Sequence, residues 1–100
     1  MILAIDFDNT IHDINHPVPN RKMGPPISLA KESLTKFKQQ GHEIIIFTVW
    51  GGTIQGQTTI KKWMDYYEIP FDTITNIKPN ADHFIDDRAI HFTSWSNINL

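Results

Sequence analysis

The sequence predicts an α/β fold in which helices cover a mostly parallel sheet. Short apolar runs alternate with segments of helical periodicity, and the first run stands at the start of the chain. Polar side chains follow several of these runs directly. Of the 100 residues, 40% are hydrophobic and 20% are charged, which is a globular composition, so we expect one domain over residues 1–100.

The first strand is predicted over residues 2–8, which begin with a continuous apolar run typical of strands buried in parallel sheets. The run ends in two carboxylates, Asp6 and Asp8, whose burial is costly unless something binds there. Residues 9–26 hold four prolines and three asparagines and predict a long irregular loop. We interpret it as a flap over the site, because long loops in small domains are often functional.

The later elements alternate between helix and strand. Apolar residues spaced by three and four predict a helix from Ile27, with Pro25 and Pro26 at its start and Gly41 at its C-terminal cap. A second apolar stripe, within residues 60–67, predicts a second helix. Further strands are predicted over residues 43–48, 71–74, 83–86 and 89–92.

Polar side chains stand where three predicted strands end. Asp6 and Asp8 follow the first strand, Thr48 ends the second, and Asp86 and Asp87 end the fourth. Ligands of α/β sheets bind at the carboxyl ends of the strands. We therefore expect these five residues to converge at one edge of the sheet.

Four carboxylates at one edge predict a divalent cation. Asp6 and Asp8 leave an extended chain on the same side, and Asp86 and Asp87 would arrive from a neighbouring strand. Such a cluster repels itself strongly, and a bound cation relieves the repulsion. With oxygen ligands and no Cys in the chain, Mg²⁺ is favoured, and Mg²⁺ also takes substrate phosphate.

Donors suited to a phosphate accompany these carboxylates. Thr48 offers a hydroxyl, and the turn at Gly51 and Gly52 leads into a helix N-terminus, a natural anion site. Lys78 would add a positive charge against the phosphoryl group. A carboxylate nucleophile, a second carboxyl as acid and base, Mg²⁺, a hydroxyl and a lysine are sufficient for phosphoryl transfer through an aspartyl-phosphate.

Four segments occur in a characteristic order. They are Asp-Phe-Asp-Asn-Thr at residues 6–10, Phe-Thr at 47–48, Lys78, and Phe-Ile-Asp-Asp at 84–87. Together they resemble the four motifs of the haloacid dehalogenase (HAD) superfamily, which are Asp-x-Asp-x-Thr, a strand-ending Thr or Ser, a Lys and an acidic pair. Asn9 departs from the usual Gly, and the Arg that many small relatives carry after the second motif is absent.

The resemblance implies a Rossmann-like three-layer sandwich with a five-stranded, mostly parallel sheet in the order 5-4-1-2-3. Family members that act on small metabolites often carry a cap domain inserted after the first or third strand. The loops at residues 9–26 and 75–82 are too short for a folded cap. The resemblance therefore implies a small member with no cap domain and an open site.

The resemblance also implies a role for each site residue. Asp6 would attack phosphorus, and Asp8 would protonate the leaving group and later activate water. Mg²⁺ would be held by the side chains of Asp6 and Asp86 and by the backbone carbonyl of Asp8. Asp87 would bind the metal through water or pair with Lys78. Thr48 would hold the phosphoryl oxygens.

The function expected from this reading is Mg²⁺-dependent hydrolysis of phosphate monoesters. An open site suits a bulky substrate, such as a nucleic-acid end, or a small one enclosed by a second subunit of a homo-oligomer. Trp50 is expected at the edge of the site, where it would stack on a base or sugar, and Arg21 and Lys22 would meet an anionic substrate. The alternative is a non-catalytic module that responds to phosphate and Mg²⁺, similar to a receiver domain.

Composition limits the other function classes. The net charge of −2 gives no general attraction to nucleic acid or anionic membranes, and the absence of Cys excludes disulfides and thiolate metal sites. No apolar run approaches the roughly 18 residues of a membrane span. The first apolar run reaches Asp6 too early for a signal peptide, so we expect a cytoplasmic protein.

His12 and His16 form a second candidate metal motif. Two histidines four residues apart align their side chains only on a helix, and Asn15 and Pro17 disfavour one here. We therefore interpret both histidines as part of a mobile polar flap.

Overall fold

A computed structural model describes residues 1–16 and 23–100 and confirms the α/β class. The strands are β1 (Ile2–Ile5), β2 (Glu43–Phe47), β3 (Thr73–Thr75) and β4 (His83–Ile85), and the helices are α1 (Ala30–Gln39) and α2 (Ile54–Tyr66). Short 3₁₀ helices follow β2 at Val49–Gly52 and β4 at Trp95–Asn97. In the described part of the chain, no helix has the length and apolar character needed to cross a membrane.

The four strands form one parallel sheet in the order β3-β2-β1-β4. Strand β1 lies between β2 and β4, and its last residue, Ile5, pairs with Ile46 on one side and with Ile85 on the other. The ladder continues for one further bond, in which the Asp6 N–H donates to the Ile85 carbonyl at 2.9 Å. The register therefore places the residues after β1 and after β4 side by side.

Both helices pack on one face of the sheet. Leu3 and Ile5 of β1 and their partners in β2 form a single buried cluster with Leu34 of α1 and with Ile60 and Met64 of α2. The crossovers from β1 to β2 and from β2 to β3 run in the same direction along the sheet, and right-handed crossovers then place their helices on the same face. The described residues thus form two layers rather than the expected three.

The described residues form four strands, whereas the sequence predicted five. Residues 89–92 alternate in a strand-like pattern, but they join no ladder, and the large side chains of Ile90 and Phe92 are exposed. A turn closed by the Arg88 N–H and the Asp86 carboxylate at 2.8 Å directs this segment away from β4. Local β-propensity did not produce a strand because a strand also needs a hydrogen-bonded neighbour.

Helix α1 ends where predicted but begins later. Gly41 has a positive φ of 88° just after the helix, as expected for a C-terminal cap. At the other end, the Ile27 N–H donates to the Ile11 carbonyl at 2.8 Å, and Leu29 has a φ of 70°. These two features keep residues 27–29 outside the helix and tie them to the loop after β1.

Candidate functional site

Three carboxylates meet at the carboxyl end of the sheet. Asp6 follows β1, and Asp86 and Asp87 follow β4, so the pairing of Ile5 with Ile85 brings them together. One carboxylate oxygen from each lies within 4.8 Å of the other two. The predicted convergence is therefore present for these residues.

Asp6 is the member of this cluster whose pKa is shifted. Burial raises the pKa of the Asp6 carboxyl to about 6, and the neighbouring carboxylates of Asp86 and Asp87 add to the shift. A hydrogen bond from the Phe7 backbone N–H opposes it. Close carboxylate oxygens are the type of ligand that hard divalent cations take, so the chemistry of these three residues is compatible with Mg²⁺.

Asp8 lies apart from this cluster, although it is only two residues after Asp6. Its Oδ1 atom is 2.9 Å from Nδ1 of His12, and its Oδ2 atom accepts a hydrogen bond from Nε1 of Trp50 at 3.0 Å. The side chain is therefore outside the group of three carboxylates that face one another. A metal contact of Asp8 through its backbone carbonyl stays a prediction.

His12 is a site residue that the sequence analysis missed. It is only 7% exposed, its ring stacks on Phe7 at 5.1 Å, and it meets the edge of Trp63 at 5.4 Å. The Gly24 N–H donates to Nε2 of His12 at 2.9 Å, so the proton of the neutral ring is on Nδ1, where it is donated to Asp8.

The assignment of His12 to a mobile polar flap is therefore wrong. The signal in the sequence was a histidine directly after an apolar residue and four positions after a candidate acid. That pattern does not reveal burial, which depends on packing against Phe7 and Trp63. His16 does lie at the surface, where its Nδ1 is 2.8 Å from Asp13.

The described ends of the loop after β1 are joined to each other and to the core. The Asp13 N–H donates to the Pro25 carbonyl at 2.9 Å, and Nε1 of Trp63 donates to the Gly24 carbonyl at 3.0 Å. His12 therefore lies in a segment that is hydrogen-bonded to the rest of the fold. Arg21 and Lys22, predicted to meet the substrate, lie outside the described residues.

Thr48 lies at the end of β2, as predicted, and is 7% exposed. Its N–H donates to the Thr75 carbonyl and its carbonyl accepts the Gly51 N–H, both at 3.0 Å. These bonds start the 3₁₀ turn that carries Trp50. Gly56 of α2 lets this turn approach closely, because a Cβ there would collide with the Trp50 carbonyl.

Lys78 is exposed in the loop before β4. Its ammonium lies over the ring of Phe84, 5.2 Å from the centroid. Within the described ranges it makes no ion pair with the acidic cluster. Its contact with a phosphoryl group stays a prediction.

A pocket of about 480 Å³ opens beside Asp8. The loop after β1 forms one wall, and Trp50 and the first half of α2 form the other. Asp8 therefore borders both the acidic end of the sheet and a cavity large enough for a small organic group.

Comparison with known proteins identifies a shared fold and no function. No family model matches the chain, and no curated protein matches it. Its structure is similar to that of a conserved protein from Bacteroides thetaiotaomicron, with a TM-score of 0.71 and 25% sequence identity. The similarity covers 96% of this chain and 84% of the other.

Proposed function

We propose that this protein is a Mg²⁺-dependent phosphatase of the HAD type that hydrolyses phosphate monoesters. The observation that carries the proposal is that two nearby carboxylates have different neighbours. Asp6 faces Asp86 and Asp87, while Asp8 is turned away and is held by His12 and Trp50. One carboxylate is thus suited to a metal-bound phosphate, and the other to proton transfer.

The chemistry assigned to these residues is a double displacement. An Asp6 carboxylate oxygen forms a bond to phosphorus as the bond to the leaving oxygen breaks, and Asp8 gives that oxygen its proton. Asp8, now ionised, then takes a proton from a water molecule that attacks phosphorus. This second step breaks the Asp6–phosphorus bond and releases inorganic phosphate.

The remaining residues of the proposed site would bind Mg²⁺ and the phosphoryl group and neutralise the phosphate charge. Asp6, Asp86 and Asp87 would hold Mg²⁺, with the carbonyl of Asp8 as a further ligand. When bound, the cation supplies positive charge against the phosphate oxygens. In the same proposal, Thr48 donates its hydroxyl to the phosphoryl group, and Lys78 moves from the Phe84 ring to reach it.

The receiver-like binding module remains the second candidate, because it uses a similar set of acidic, hydroxyl and lysine residues. The position of Asp8 favours the hydrolase. A module that only binds phosphate needs no acid/base group two residues after its acceptor, whereas Asp8 stands at that position and is held by two ring N–H groups beside a pocket.

The test is release of inorganic phosphate from 4-nitrophenyl phosphate, with Mg²⁺ and with a chelator. We expect activity that requires Mg²⁺ and is abolished in Asp6→Asn. Asp65→Asn is the matched control, because Asp65 pairs with Lys61 on the exposed face of α2. Near-normal turnover by Asp6→Asn would remove Asp6 as nucleophile. Mg²⁺-dependent stabilisation of the fold without any turnover would favour the binding module.

A further inference from the structure

Strand β4 is exposed on both of its faces. Phe84 pairs with Ala4, so it lies on the face of the sheet opposite the helices, where it is 42% exposed. Ile85 pairs with Ile5 and lies on the helix face, yet it is 38% exposed. Among the described residues, β1 is the one strand paired with β4, so its outer edge is also open. Parallel strands are normally covered on both faces, and an open edge can pair with another chain.

The segment at residues 89–100 is apolar and carries no charge. It contains no Asp, Glu, Lys or Arg, although these residues make up 20% of the whole chain. Its large apolar side chains Ile90, Phe92 and Trp95 are each more than half exposed. Aromatic side chains without charged neighbours are typical of the core of a protein interface.

Phe92 and Trp95 already stand side by side. Their ring centroids are 5.4 Å apart at an interplanar angle of 67°. The Asn97 side chain donates to Thr93 Oγ1 at 2.7 Å, and the Asn97 N–H donates to the Ser94 carbonyl at 3.1 Å. These local bonds hold both rings in place before a partner binds, which lowers the entropy cost of binding.

The exposed apolar area matches what a stable dimer needs. At roughly 150–250 Å² for each large side chain, the exposed fractions on β4 and in residues 89–100 amount to roughly 500 Å². A standard interface buries about 800 Å² on each partner, of which about 60% is non-polar. Residues 17–22, outside the described ranges, hold only Val18 and two prolines as apolar side chains, too few to cover this area.

We propose that this surface is the interface of a homodimer in which residues 89–97 of each chain cover β4 of the other. A second copy is favoured because one chain offers both halves of the interface, an uncovered strand and an apolar segment. The turn between Asp86 and Arg88 directs this segment away from the β4 of its own chain. A two-fold arrangement would cover both copies at once, and residues 89–92 would gain the neighbouring strand that they lack.

This inference does not depend on the phosphatase function. The dimer would nevertheless border the acidic cluster, because Asp86 and Asp87 lie between β4 and the apolar segment. A second copy would therefore narrow the open site on that side.

Sedimentation of the full chain at about 1 to 100 µM tests the dimer. We expect twice the mass of the chain at the upper concentrations, and a Tm that rises with concentration. A monomer at about 100 µM with a Tm independent of concentration would overturn the proposal and leave the surface to a different protein.

Substitutions locate the interface. Phe92→Asp and Trp95→Asp should each raise the Kd of the dimer by at least about thirtyfold, because they place a charge at an aromatic anchor. Ile54→Asp is the matched control, since Ile54 is 84% exposed at the start of α2 and should leave Kd unchanged. A Trp95→Asp protein that dimerises like the original would overturn the proposal.

Single cysteines test the exchange of segments without altering the apolar side chains. The chain contains no Cys, so His83→Cys on β4 and His91→Cys in the segment report only their own contacts. Mixed and treated with a short bis-maleimide, these two variants should give more cross-linked dimer than either alone, and more than His91→Cys mixed with Ile54→Cys. If His83→Cys cross-links to itself as strongly as to His91→Cys, β4 pairs with β4 and the exchange is wrong. A yield no higher than that of the control mixture would also overturn it.

Discussion

His12 Nδ1 lies 2.9 Å from Asp8 Oδ1, and the His12 ring is buried between Phe7 and Trp63. This pair gives Asp8 a fixed direction. The Gly24 N–H occupies the other ring nitrogen at 2.9 Å, so His12 cannot turn without breaking two hydrogen bonds. A proton-transfer group works efficiently only when it is held within reach of the leaving oxygen.

His12 is therefore expected to matter most for esters whose leaving group needs a proton. His12→Phe keeps an aromatic ring against Phe7 but removes the donor to Asp8. We expect it to lower kcat/KM, which reports the first chemical step, by roughly 10²-fold for benzyl phosphate and much less for 4-nitrophenyl phosphate, whose leaving group departs unprotonated. His12→Asn, which restores an N–H near the position of Nδ1, should recover part of the loss. Equal losses on both esters would assign His12 a purely structural role.

Trp50 donates the second hydrogen bond to Asp8, and substitutions there test this contact separately. Trp50→Phe retains a ring at the pocket rim and removes the N–H that binds Asp8 Oδ2. We expect kcat for benzyl phosphate to fall while KM stays nearly constant. Trp50→Ala removes the ring too, and it should weaken nucleotide substrates more than a minimal aryl phosphate. Equal losses on those two substrates would contradict stacking by Trp50.

Asp8→Asn should separate the two chemical steps. An amide cannot take the proton of the attacking water, so breakdown of the intermediate slows by roughly 10²–10⁴-fold. With 4-nitrophenyl phosphate, the first step is less affected, and a phosphorylated enzyme should accumulate. Intact-mass measurement would detect the added phosphoryl group. The double variant Asp6→Asn with Asp8→Asn is the control, and it should show none.

The shifted pKa of Asp6 predicts a pH dependence of stability without metal. The pKa rises from 3.8 in the unfolded chain to about 6 in the fold. Folding therefore favours protonated Asp6, and this contribution is complete below pH 3.8 and is lost as the pH rises through about 6. In the presence of a chelator, Asp6→Asn should therefore become more stable relative to the original protein as the pH rises from 3.8 to about 6. The difference in Tm between the two proteins measures this change.

The effect of added Mg²⁺ on Tm tests whether the cation binds Asp6. If the cation binds ionised Asp6, it should raise the Tm of the original protein at pH 7 and have little effect on Asp6→Asn. A Tm difference between the two proteins that is independent of pH would contradict the repulsion assigned to Asp6. Equal Mg²⁺ responses in the two proteins would contradict its role as a ligand.

Parts of the candidate site could be predicted because sequence neighbours and strand ends define them. Asp6 directly follows an apolar run, and the acidic pair at residues 86–87 follows another, so a parallel sheet had to bring them to one edge. Lys78 and His12 illustrate the opposite case. A loop lysine and a loop histidine carry no periodicity, and their neighbours, Phe84 and Asp8, are decided by packing.

The sequence by itself determined the α/β class, the strand ends that carry Asp6 and Asp86, and the glycine cap of α1, because these follow from local pattern and backbone preference. Only the tertiary structure decided that both helices share one face and that residues 89–92 pair with nothing. It also decided that His12 and Trp50 hold Asp8 at the mouth of a pocket. These outcomes depend on contacts between different segments of the chain. The free energies of such contacts cannot be predicted from a local sequence pattern.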